Sequence, residues 1–139
     1  MITNEHYYRA INIMDIIDEL REKKGICKTQ IGKQQGFTPP YYHSFYNGCR
    51  AIRINSLYNI AKVLNVSVEY LLTGKKQDTF KDFKLDFSNI INNDKTGVPT
   101  RLRVIKHYLK SGKAKDISVK TLFEFEHYLK IPAIKLIGG

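Results

Sequence analysis

The sequence predicts an all-α fold, and three observations carry that prediction. Apolar residues recur at three- and four-residue spacing along most of the chain, the period of a helix with one buried face. Residues suited to ending helices (Gly25, Gly36, Gly48, Asn65 and Gly112) fall between these periodic stretches. The segment "INSLYNIAKVLNVSVEYLLTG" (54–74) also lies without a gap over "VKTLFEFEHYLKIPAIKLIGG" (119–139), as a repeated helix pair would.

The elements follow in order. In "INIMDIIDELREKKG", Ile13, Ile16, Ile17 and Leu20 define one apolar face, and Lys23, Lys24 and Gly25 give a normal C-terminal signal. "CKTQIGKQQG" offers a second helix of about two turns, ended by Gly36. In "GFTPPYYHSFYNG" (36–48), Thr38 can cap a third helix, with Pro39 at the first helical position, where a missing N–H does no harm. "INSLYNIAKVLNV" places Leu57, Ile60, Ala61 and Leu64 on one face. Asn65 is suited to a left-handed terminus, and Ser67 caps a short helix, "VEYLLTG".

Residues 75–79 read as a polar linker between a unit at 1–74 and a second at 80–139. Phe80, Phe83, Phe87, Ile90 and Ile91 fit a helix, although Phe83, Leu85 and Phe87 also fit a strand. "NNDKTG" is a turn. Leu102, Ile105, Tyr108 and Leu109 then define an apolar face over about 99–111, with Arg103, Lys106, Lys110 and Lys113 assigned to the opposite side. Helices at about 119–130 and 132–137 complete the chain. In the repeat, Leu57, Leu64, Leu71 and Gly74 match Leu122, Leu129, Leu136 and Gly139.

The 139 residues allow one domain, or two very small ones. No apolar run approaches the ~18–20 residues that cross a bilayer, and the N-terminus lacks a signal peptide's apolar core. The expectation is a soluble, cytoplasmic protein with no membrane partner. Cys27 and Cys49 are too few for a disulfide framework or a four-ligand zinc site, and His6, His43, His107 and His127 lack metal-ligand spacing. No nucleophile–base pairing or phosphate-cradling loop stands out, so neither an enzyme nor a bound cofactor, metal or small-molecule ligand is expected.

The formal charge of +10 favours a polyanionic partner. Residues 1–74 hold nine Lys/Arg against six Asp/Glu, whereas 75–139 hold fourteen against seven. Over 101–120, Asp116 is the single acid among seven basic residues.

Residues 13–74 resemble the helix-turn-helix domain of the Cro/phage-repressor (XRE-like) regulators. Ile31-Gly32, the turn Gly36, Phe37-Thr38, the buried-type Tyr42 and Phe45, the closing Gly48, and "NVSVEYLLTG" fall at the family's spacing over the 45 residues from Gln30 to Gly74, with no insertion. The resemblance implies a five-helix lambda-repressor-like domain, followed here by a smaller helical region readable as a degenerate second copy. It implies double-stranded DNA as partner, with helix 39–47 in the major groove. Base-facing positions would be Pro39, Pro40, Tyr41, His43 and Ser44. Lys28, Thr29, Thr38, Asn47 and Arg50 fall where the family contacts phosphates.

This sequence departs from the family pattern in ways that matter chemically. Two prolines replace polar readers, Lys28 replaces a glutamine-like residue, and Tyr46 replaces a common glutamate. No arginine or glutamine in helix 39–47 can make the bidentate base contacts worth about 1–3 kcal/mol each, which leaves His43 and Ser44 as its polar readers. Arg103, Lys106, Lys110 and Lys113 in the second half are the further phosphate candidates. A homodimer and a covalent pseudo-dimer both remain open. The rival reading is a protein-interaction module on the same fold, antitoxin-like or an assembly adaptor, that uses the aromatic surface near Tyr41 and Tyr46. A third is binding of single-stranded RNA through the basic face and the exposed tyrosines.

Overall fold

The computed structural model describes residues 3–27 and 52–139. The expected second and third helices, within 28–51, lie outside the described residues. The described chain forms α1 (Thr3–Lys23), α2 (Ile54–Leu64), α3 (Val68–Thr73), α4 (Ser88–Ile91), α5 (Thr100–Ser111), α6 (Val119–Leu129) and α7 (Ala133–Leu136). With turns and one isolated antiparallel bridge between them, the fold is all-α, as the periodicity requires.

α1 begins well before Ile11 and packs across α6, so the N-terminal helix reaches the second half of the chain. Ile13, Ile17 and Leu20 are buried as expected, while Ile16 is half-buried. The helix stops in a Schellman motif: Gly25, at φ 69°, donates to the Glu22 carbonyl at 3.1 Å, and Ile26 to the Arg21 carbonyl at 3.0 Å. Arg21 ties the end down by donating to the Ile26 carbonyl at 2.9 Å and, through Nε, to Asp18 at 3.0 Å.

α2 and α3 follow their sequence signals closely. Ile54, Leu57, Ile60, Ala61 and Leu64 are buried, Asn65 takes φ 54°, and Ser67 Oγ accepts from the Tyr70 amide at 3.1 Å. α6 repeats this local chemistry. Ser118 Oγ accepts from the Thr121 amide at 3.1 Å, and Lys130 closes the helix at φ 58°. All of Leu57, Leu64, Leu71, Leu122, Leu129 and Leu136 are buried in one apolar core that draws on both halves of the chain. Burying a leucine fully contributes about 1.5–3 kcal/mol, so this core is a principal source of stability.

The halves also meet through backbone. Arg53 and Ser118 form the antiparallel bridge, flanked by Val119 N–H donating to the Ile52 carbonyl at 2.7 Å and Ile54 N–H to the Ile117 carbonyl at 3.0 Å. α3 packs against α7, and α1 also touches α3.

The expected helix over 80–91 does not form along its length, nor does the alternative strand. Residues 77–87 run as an irregular strap, and the helix is confined to Ser88–Ile91. Tertiary partners fix the strap. The Tyr58 ring lies edge-on to Phe80 and Phe83, each 5.3 Å away between centroids, while its hydroxyl donates to Asp82 and accepts from the Phe83 amide at 3.2 Å. Asp86 N–H donates to the Ile137 carbonyl at 2.9 Å. The polar stretch expected as a linker is pinned at its end, where the Ser67 amide donates to the Asp78 carbonyl at 2.9 Å. The Lys81 ammonium, 3.0 Å from Asp78, and then the Thr79 amide hold that carboxyl below the usual carboxylate range.

Candidate nucleic-acid interface

Of the residues expected to meet DNA, Lys28, Thr29, Thr38, Pro39, Pro40, Tyr41, His43, Ser44, Asn47 and Arg50 lie outside the described residues, as does Tyr46. The four from the second half are described, and they belong to α5 and the turn after it.

α5 is oriented by Leu102 and Leu109, both buried, with Ile105 half-buried between them. Spacings of three and four put these residues on one helical face. Tyr108, expected on that face, is 42% exposed, because the Leu102–Leu109 anchor rotates it to the margin. Lys106 moves the opposite way. It follows Leu102 by four residues and precedes Leu109 by three, so it shares their face. It is half-buried, and its ammonium donates to the Asn93 carbonyl. Lys106 therefore does not stand with the solvent-facing cations on the opposite side of α5, contrary to the expectation from its residue type.

Arg103, Lys110 and Lys113 are exposed. Arg103 donates from its guanidinium to Thr100 Oγ1 at 3.2 Å, which draws its head toward the start of the helix. Lys113 lies beyond Gly112, where φ 84° ends α5, and its ammonium stands 5.8 Å from the Tyr108 ring centroid. That is within cation–π range. Thr100, Arg103, Val104, His107 and Tyr108 line a shallow open groove along the exposed side, and Val104 is 43% exposed.

An ion pair invisible to periodicity links α5 to α6. Arg101 donates to Glu124 Oε2, and the Glu124 side chain is only 4% exposed. Among the described residues, no donor reaches its other oxygen, Oε1. The Ser118 cap, by contrast, carries a local signal: a serine directly before an apolar-periodic run.

The described residues thus define an all-helical protein that presents one exposed, cation-rich helix face. Among them, no helix is long and apolar enough to cross a membrane, and no three His, Cys, Asp or Glu side chains gather as a metal site. Over 80 residues, 58% of this chain and 67% of the relative, the sequence is 28% identical to the uncharacterized HTH-type transcriptional regulator YqaE of Bacillus subtilis (strain 168). That similarity supports a helix-turn-helix regulator as the general class. No family model matches the chain, and no solved structure matches it.

Proposed function

We propose that this protein is a cytoplasmic, non-enzymatic DNA-binding regulator of transcription of the Cro/phage-repressor type. Helix 39–47 docks in the major groove of duplex DNA, and Lys28, Thr29, Thr38, Asn47 and Arg50 hold phosphates around it. Arg103, Lys110 and Lys113 add backbone affinity from the second half, whereas Lys106 is already engaged by the Asn93 carbonyl.

The observation that carries this reading is the uninterrupted run of motif positions from Gln30 to Gly74. Its described portion has the caps and buried face such a unit needs: Leu57, Ala61 and Leu64 inward, Asn65 left-handed and Ser67 at the next helix start. The similarity to a named HTH-type regulator points the same way.

The same reading divides the chain into a unit at 1–74 and a degenerate copy at 80–139, joined through 75–79. The 65-residue offset of the sequence repeat supports it. That offset carries α2 onto α6, both of 11 residues, and Asn65 onto Lys130, the two non-glycine residues with positive φ among those described.

The test is selection of bound duplexes from a random pool, followed by salt titration on the enriched sequence. Enrichment is expected, with affinity falling by a slope of about −0.9 per neutralised phosphate and dropping further in Lys28→Gln and Arg50→Gln. No enrichment, together with a preference for single-stranded RNA or for a protein partner lost in Tyr46→Ala, would refute the reading.

A further inference from the structure

We infer that the exposed stripe of α5 is a second major-groove reading surface, so that one chain engages two unlike half-sites. The inference rests on the DNA-binding reading above and extends it from phosphate affinity to base recognition.

Symmetry at the contact between the halves is the first support. The bridge joins Arg53 to Ser118, which are 65 residues apart, and the two hydrogen bonds beside it exchange under the same offset. Ile54 N–H reaches Ile117, and Val119 N–H reaches Ile52. Adding 65 turns the donor of the first bond into the donor of the second, and the acceptor of the second into the acceptor of the first. α3 packs on α7, its own counterpart under that offset. A contact in which each position meets its own equivalent is the isologous contact of a two-fold dimer, here made within one chain. Two-fold protein symmetry presents two reading elements to DNA. In the sequence, α5 precedes α6 as the stretch 39–47 precedes α2, and the glycines that follow, Gly112 and Gly48, are 64 residues apart, one short of that offset.

Surface chemistry is the second support. Thr100, Arg103, Val104, His107 and Ser111 recur at three- and four-residue steps on the side of α5 away from Leu102 and Leu109, and all are exposed. The stripe mixes a guanidinium, an imidazole and branched methyl groups, and Lys110 and Lys113 stand beside it to hold phosphates. Such a set fits a major groove: arginine can fork onto guanine O6 and N7, histidine can donate to a purine N7, and methyl groups can meet thymine. It supplies the fork that helix 39–47 lacks. Val104 within the stripe and Tyr108 beside it, both more than two-fifths exposed, add apolar surface to it.

The deciding experiment is the duplex selection repeated with the full-length Arg103→Lys and His107→Ala chains, with chain-to-duplex stoichiometry measured by analytical ultracentrifugation. All substituted positions are exposed, and Arg103→Lys keeps the charge while removing the fork. The expected result is an asymmetric two-part site bound by one chain. Arg103→Lys should abolish preference at one part alone, by about 5- to 150-fold at the affected base pair, with the salt slope unchanged. A perfect palindrome bound by two chains, or an unchanged enriched sequence in both variants, overturns the inference and leaves the DNA-binding reading standing. Absence of any duplex enrichment by the unsubstituted chain overturns both.

Discussion

Arg53 and Ser118 face each other across an antiparallel bridge that joins the halves of the chain, and each immediately precedes an 11-residue helix. The two starts differ in chemistry. Arg53 makes no side-chain cap, whereas Ser118 Oγ accepts from the Thr121 amide at 3.1 Å and donates to Thr121 Oγ1 at 2.9 Å. One contact therefore carries one capped and one uncapped helix.

Ser118→Ala is expected to destabilise the protein by about 1 kcal/mol through loss of that cap. Arg53→Ser, which offers a cap where none exists, should be stabilising by a similar or smaller amount. Urea unfolding followed by far-UV circular dichroism measures both, and equal effects of one sign would contradict the assignment.

Two glycines separate conformational strain from steric clash. Gly112 has φ 84° with nothing within 4 Å of an added Cβ, so Gly112→Ala should cost about 1 kcal/mol. Gly138 has φ 95°, and its Cβ would lie 2.8 Å from the Lys84 carbonyl, so Gly138→Ala should cost distinctly more. The difference reports how firmly the strap at 77–87 is held to the C-terminus. Thermal unfolding of the two variants side by side gives the answer.

Lys130 holds φ 58° without the tolerance for that region that asparagine has at Asn65. Lys130→Gly should raise stability by about 0.5–1 kcal/mol, with Asn65→Gly giving less. A loss in Lys130→Gly would mean that the left-handed residue there is compensated by other contacts.

The Arg101–Glu124 pair is lopsided, with an arginine side chain 54% exposed and a glutamate 4% exposed. Arg101→Ala strands a buried carboxylate and should cost about 1–3 kcal/mol. Adding Glu124→Leu to that variant should recover much of the loss, because the stranded charge goes too. A double-mutant cycle by chemical denaturation measures the coupling.

The helices of the described frame were legible where one strong local signal sufficed. Period alone exposed Ile13, Ile17 and Leu20, and residue chemistry alone announced Asn65, Ser67 and Gly112 as ends. The segment at 80–91 was not legible. Its aromatic spacing fits two regular structures, and its actual path depends on Tyr58 and Ile137, far away in sequence. On α5, counting Tyr108 as inward and Lys106 as outward followed residue type. The face is set instead by Leu102 and Leu109, whose seven-residue spacing fixes the rotation of the whole helix. Lys106 could have been read correctly from its distance to those two leucines. Arg101–Glu124 could not, since no local pattern links residues on different helices.

Recognition of duplex DNA is measured by the affinity of the full chain for its enriched duplex as a function of salt, with a scrambled duplex of equal length alongside. Log affinity is expected to fall linearly with log salt at a slope of about −4 or steeper, with a preference of about a thousandfold for the enriched sequence. Equal affinity for both duplexes, or an affinity indifferent to salt, would contradict it.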